Sequence, residues 1–138
     1  MKRAAHIGGF TLLEMLIAMV ILAILASIAL PSYLSYVLRS NRSEAQALLS
    51  EAASRQERYF TQNNSYASTA AALNMTSYVA NLKSYSLSIS NVGAATYTLT
   101  ATAIGSQVKD KDCKTLTLDQ AGAKGYSGTA ASASTCWP

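Results

Sequence analysis

Gly9-Phe10-Thr11-Leu12-Leu13-Glu14 opens a stretch that continues FTLLEMLIAMVILAILASIAL, Phe10 to Leu30, 21 residues with Glu14 as the one charge. A helix of that length spans roughly 31 Å, the thickness of a bilayer core. Three readings compete for it. A cleaved secretory signal would use Lys2 and Arg3 as its basic start and Ser27-Ile28-Ala29 as its small-x-small site. Against that reading, Glu14 stands at the front of the apolar run, and the run is long for a signal. A plain membrane anchor explains the length but gives no reason for Glu14. A carboxylate at the centre of a membrane helix costs about 2.5–3.5 kcal/mol, less near an end, and asks for a partner.

Outward from this stretch the helical pattern continues past Pro31. Leu34, Val37, Leu38, Ala45, Leu48, Leu49, Ala52 and Tyr59 recur at spacings of three, four and seven. Arg39, Arg42, Glu44, Glu51, Arg55 and Glu57 are assigned to the opposite face, with Glu51 and Arg55 at i and i+4. Pro31 therefore predicts a kink, and Phe10 to about Phe60 one long helix whose second half needs a sheet against its apolar face. Thr61 to Ser65 reads as its end, and Tyr66 to Ser84 as a connector with a helical turn through Thr69 to Leu73. Strands follow in period two. Tyr85, Leu87 and Ile89 alternate with serines, and Tyr97, Leu99, Ala101 and Ala103 largely with threonines. Asn91-Val92-Gly93-Ala94 reads as their hairpin turn. Thr115 to Asp119 is a third strand, Gln120 to Gly128 a turn leading to a short strand or loop, and Ala130 to Thr135 a surface loop. The fold class is α+β, a long N-terminal helix packed on a small antiparallel sheet.

Composition narrows the chemistry. The 138 residues suit one compact domain; 13% are charged and 50% apolar, which excludes a disordered chain. The formal charge is +4; without Lys2 and Arg3 nine cations face seven anions, too small a balance to indicate nucleic acid by itself. The single histidine, His6, lies in the N-terminal leader, so the body carries no Ser-His-Asp triad, Cys-His pair or histidine metal site. No catalytic residue, metal or cofactor is implied, and the expectation is a protein that is not an enzyme.

A short basic leader ending in Gly9, then Phe10, a glutamate five residues into the new chain and about 20 apolar residues resemble the type IV prepilin signature, which Pro31 also fits. The resemblance implies cleavage between Gly9 and Phe10 by a prepilin peptidase and methylation of the Phe10 amine, leaving 129 residues. It supplies the partner for Glu14, namely the N-terminal amine of a neighbouring subunit, since two ions costly alone in an apolar interior offset each other when paired. Residues 1–9 are then a leader, 10–31 a transmembrane and assembly helix, and 32–138 a periplasmic or extracellular head. The implied partners are other pilin subunits, the peptidase, the inner-membrane assembly machinery and the membrane itself. The implied localisation is the inner membrane before assembly and then an extracellular pilus of a Gram-negative bacterium, serving motility, adhesion or DNA uptake. Arg39 to Phe60, Tyr97 to Cys113 and the Cys136-Trp137 ending look like minor pilins of the PilE type among the type IVa pilins. Cys113 and Cys136 in an exported domain predict a disulfide around 22 residues, as type IVa pilins carry near their C-termini; a type II secretion pseudopilin, the alternative that the N-terminal signature also allows, commonly lacks that loop.

Lys109-Asp110-Lys111-Asp112, with Lys114 beyond Cys113, is the densest charge cluster. Some pilins bind DNA through basic strips, so Lys109, Lys111 and Lys114 are candidate phosphate contacts of a DNA receptor. The bland reading is a solvated loop whose lysines and aspartates point opposite ways and compensate one another. Eight tyrosines resemble stacking platforms, yet strand packing accounts for Tyr85 and Tyr97 and a membrane-interface belt for Tyr33 and Tyr36. Trp137 either covers the disulfide or stands at a tip.

Overall fold

The computed structural model describes residues 9–137, which fall into two compact units, Met1–Tyr36 and Val37–Pro138. Lys2, Arg3 and His6 lie outside the described residues. Helix α1, Leu12–Asn63, belongs to both units. Its start is capped by Thr11, whose hydroxyl accepts from the Glu14 amide at 3.2 Å. The cap uses the Glu14 backbone amide and so does not depend on the Glu14 side chain. Pro31 removes one backbone donor without ending the helix, and Ser27, Ser32 and Ser35 donate hydroxyl hydrogen bonds to the carbonyls of Ile24, Ile28 and Pro31. In the first unit the apolar side chains from Leu12 to Leu34, with Tyr33 and Tyr36, are exposed. α1 is the one helix among the described residues long and apolar enough to cross a membrane.

In the second unit the helix runs three residues past Phe60 and ends at Asn63, followed by Asn64 with φ of 51°. Thr69 to Leu73 forms turns and no helix; the short helix α2 comes later, at Thr76–Ala80. Four strands follow, β1 (Tyr85–Ser90), β2 (Thr98–Ala103), β3 (Thr115–Asp119) and β4 (Lys124–Ser127), as an antiparallel meander. A 3-10 turn, Gly105–Lys109, and the one-turn helix α3, Ala133–Cys136, complete the list. Sequence periodicity places a loop across part of α3; four residues are too few to show a helical period.

Register sorts the sheet into two faces. Leu87, Ala101, Leu116 and Tyr126 form one row across the strands, and Ile89, Leu99 and Leu118 another. This face meets Ala45, Leu48, Leu49 and Ala52 of α1 in the core. The other face is mostly hydroxyls, in rows Ser86–Thr102–Thr115–Ser127, Ser88–Thr100–Thr117 and Ser90–Thr98, the last ending on Asp119. Below Ser127 the chain turns at Gly128, φ 141°, where a β-carbon would strike the backbone of Asp112. That contact presses the segment after β4 against residues 111–112, with Thr129 and Ala130 amides donating to the Lys111 and Asp112 carbonyls.

Candidate functional site

Two of the sequence motifs sit in the first unit. Gly9 and Phe10 are exposed, Phe10 at 78%, and Glu14 is exposed in the first turn of α1. The other motifs lie in the second unit, where Cys113 and Cys136 are bonded to each other and buried. Their disulfide ties the start of β3 to α3.

The 109–114 cluster differs from its sequence reading. Lys109 closes the 3-10 turn, and the two aspartates do not share a side: Asp110 is 3% exposed, whereas Asp112 is on the surface. Asp110 is drawn inward by Arg42 of α1, which grips it with both Nε (2.7 Å) and Nη2 (2.8 Å). Arg42 is itself buried, which corrects its assignment to the solvated face of the helix. The Asp110 carboxylate also accepts from the Gln107 side chain and the Cys113 amide, and the bond to Asp110 raises the Arg42 pKa above its ordinary value. Gln107 reaches Leu38 O and the Tyr85 hydroxyl and accepts from Asn41. Arg42 Nη1 donates to Thr135 O, and Gln46 donates to Cys136 O. Every buried side-chain polar atom of this network has a partner among the described residues.

The consequence is electrostatic. Asp110 neutralises a cation inside the protein and is unavailable to the lysines beside it. Lys109, Lys111 and Lys114 are all exposed, and Asp112, held by Thr129 Oγ1 at 2.8 Å, is the one anion left among them. The compensation expected of the loop is thus halved. Next to it lies a groove of about 340 Å³ lined by Thr102, Ala103, Val108, Lys114, Thr115 and Ser127.

Tyr85 and Tyr97 are packing residues, whereas Tyr33, Tyr36 and Tyr78 are exposed. Tyr85 is buried with its hydroxyl on Gln107, and Tyr97 packs edge-on against Tyr66, which in turn lies on Phe60. Burial pushes the Tyr85 and Tyr97 hydroxyls up to about 12. Trp137 is half-buried, donates Nε1–H to Gly125 O and carries the Lys124 ammonium 5.1 Å from its ring centre. Among the described residues no cluster of three or more His, Cys, Asp or Glu is arranged to hold a metal.

A family model described as type IV minor pilin ComP, DNA uptake sequence receptor, matches residues 31–117, and the prokaryotic N-terminal methylation motif matches residues 5–30. The chain belongs to this type IV minor pilin family. It is 46% identical over 65 residues to the type IV wide pilus major component PilA4 of Thermus thermophilus, covering 47% of this chain and 50% of that one. Fimbrial protein EcpC of Eikenella corrodens is 60% identical over 37 residues, 27% of this chain and 24% of its own. The chain thus spans half or less of the curated relatives it matches. Among solved structures, the non-core minor pilin PilV of Neisseria meningitidis is similar with TM-score 0.53 and 25% identity, covering 72% of this chain and 95% of PilV. A type IV pilin from Shewanella oneidensis gives TM-score 0.50 and 25% identity over 69% of this chain and 98% of that one. The long helix, the four-stranded sheet and the Cys113–Cys136 bond are the fold of this family.

Proposed function

We propose that the chain is a minor subunit of a type IV pilus, made as a single-pass inner-membrane precursor of a Gram-negative cell with its 32–138 head in the periplasm. A prepilin peptidase cuts between Gly9 and Phe10 and methylates the Phe10 amine, and the assembly machinery adds the subunit to a fibre of other pilins. The observation that carries this reading is the family match over residues 31–117 joined to an exposed apolar helix whose one charge through Leu30 is Glu14. The methylation-motif match over residues 5–30 supports the cleavage position. Intact mass and the N-terminal peptide of the native protein, from sheared pili and from membranes, test it. A chain beginning at methylated Phe10 and present in the pili is the expected result. A chain retaining Met1, or one beginning beyond the apolar helix, overturns it.

A second reading is favoured by the inward turn of Asp110: the head binds DNA through Lys109, Lys111 and Lys114. Lysines that contact phosphates release counterions, so affinity falls with salt at a slope of about 0.9 per phosphate neutralised. Gel shifts of the full chain in an uncharged detergent should show steeply salt-dependent binding to duplex DNA. The Lys109→Ala, Lys111→Ala, Lys114→Ala triple variant should lower the slope by about 2.7. Absence of binding at low salt rules this reading out.

A further inference from the structure

A second cavity of the head, about 330 Å³, lies where the last turns of α1 meet residues 72–74. One wall is a helix face. Arg55, Arg58, Tyr59 and Gln62 stand at i, i+3, i+4 and i+7, which brings all four to one side of α1. The other wall is residues 72–74, and the fold holds it in place. Leu73 and Met75 are buried in the core, the Asn74 amide donates to Ala71 O at 2.9 Å, and the Met75 amide donates to Ala70 O at 2.8 Å. Asn74 turns the chain with φ of 55°, a conformation that asparagine accepts. Arg55 closes the seam, its Nη1 donating to Leu73 O at 3.0 Å and to Asn74 O at 2.8 Å.

The charges around this cavity do not cancel. Arg55 Nε donates to Glu51 at 2.6 Å, whereas Arg58 Nη2 is 3.9 Å from the same carboxylate, beyond hydrogen-bond range. Glu51 thus serves Arg55 and leaves the Arg58 guanidinium, 65% exposed, with its donors open to a ligand. The nearby Glu57 is engaged by the Tyr66 hydroxyl at 3.2 Å, and no carboxylate is among the lining residues. Two cations against one anion leave a single positive charge. A guanidinium pairs with carboxylate and phosphate alike, but one uncompensated charge matches a monoanion, and Glu51 repels a second negative charge. An exposed arginine is ordinary by itself. This one has company suited to a sugar. The Gln62 and Asn74 amides each bring donors and an acceptor, the complement of adjacent hydroxyls that do both. Tyr59, half-buried, adds a ring and a hydroxyl. The volume falls in the range of small-molecule sites.

We propose that this cavity binds a uronic acid, its carboxylate on Arg58 and its ring hydroxyls on Gln62 and Asn74. The acid arrives as a free monosaccharide or as the end residue of an acidic polysaccharide.

Equilibrium dialysis of labelled glucuronate against the full chain in an uncharged detergent tests this, with glucose, acetate and inorganic phosphate as competitors. Glucose, which lacks the charge, should compete at least about tenfold less well than unlabelled glucuronate. Acetate, which lacks the hydroxyls, should also be the weaker competitor. Arg58→Gln, at an exposed position, should weaken glucuronate about tenfold at an unchanged melting temperature, and Arg58→Lys should recover part of that loss. Asn74→Gly, which keeps the backbone turn, should narrow the advantage of glucuronate over acetate. An oligoglucuronate that competes as well as the monomer identifies the polymer end as a source; competition by the monomer alone identifies the free acid. Acetate or phosphate competing as well as glucuronate overturns the proposal, since the cavity then selects anions without reading a sugar. Glucuronate affinity unchanged in Arg58→Gln, or no saturable binding at millimolar concentration, overturns it as well.

Discussion

Arg42 is the residue on which the head turns. The heptad-like spacing that selects Leu38, Ala45, Leu49 and Ala52 also passes through Arg42 and Gln56, and the structure buries both. Gln56 pairs with the backbone of Ala67 in both directions, and Arg42 pairs with Asp110, 68 residues away. Position on the apolar seam was therefore the available signal for both, but residue type pointed to solvent. Removing one partner of a buried ion pair strands the other charge. Arg42→Met should therefore destabilise the head by about 3–5 kcal/mol, and adding Asp110→Asn should recover part of that loss. Urea denaturation of both variants checks it; a double variant no more stable than Arg42→Met counts against the pair. The buried tyrosines supply a pH dependence. Tyr97 titrates near 12 when folded and near 10 when unfolded, so the unfolded chain loses its proton first. Its contribution is whole below about pH 10 and is lost as pH rises through about 12. Thermal melts of Tyr97→Phe should decline less steeply than wild type in that window, and matching slopes would argue against it.

At the scale of elements, the disulfide fastens α3 to the start of β3, while Arg42 and Gln46 hold the carbonyls of Thr135 and Cys136 to α1. Closing a loop of this length contributes roughly 3 kcal/mol in the chain-entropy account. The Cys113→Ser, Cys136→Ser double variant should lose about that much, measured by denaturant midpoint, with the β1–β3 pairing retained in its circular dichroism. Long periodic elements were legible beforehand: α1, β1, the core of β2 and β3 follow from spacings of 3.6 and two. β4 and the 3-10 turn were not, because Lys-Gly-Tyr-Ser and Gly-Ser-Gln-Val-Lys are short and carry no apolar alternation. They are formed by partners distant in sequence. Those partners are β3 for one and the Arg42–Asp110–Gln107 network for the other. The lysines were legible as a cluster, but their net charge depended on a contact that no local pattern encodes.

For the molecule as a subunit, Glu14 is the assembly prediction. Replacing it by Ala removes the proposed partner of the Phe10 amine and leaves the Thr11 cap and the apolar helix in place. Incorporation into pili should fall more than about tenfold at unchanged membrane insertion; immunoblots of sheared pili against membranes check this, and undiminished incorporation would discard the pairing. The hydroxyl face of the sheet bears on how partners arrive. By strand register its serines and threonines carry no formal charge and Asp119, which accepts from the Ala121 and Ala123 amides, is the one charged strand residue of that flank. The field is then shaped by the rim, where Lys109, Lys111 and Lys114 stand with one of their neighbouring anions withdrawn inside. An approaching polyanion is turned toward that rim before it touches the protein, and the rate of encounter, not only the strength of the hold, declines as ionic strength rises.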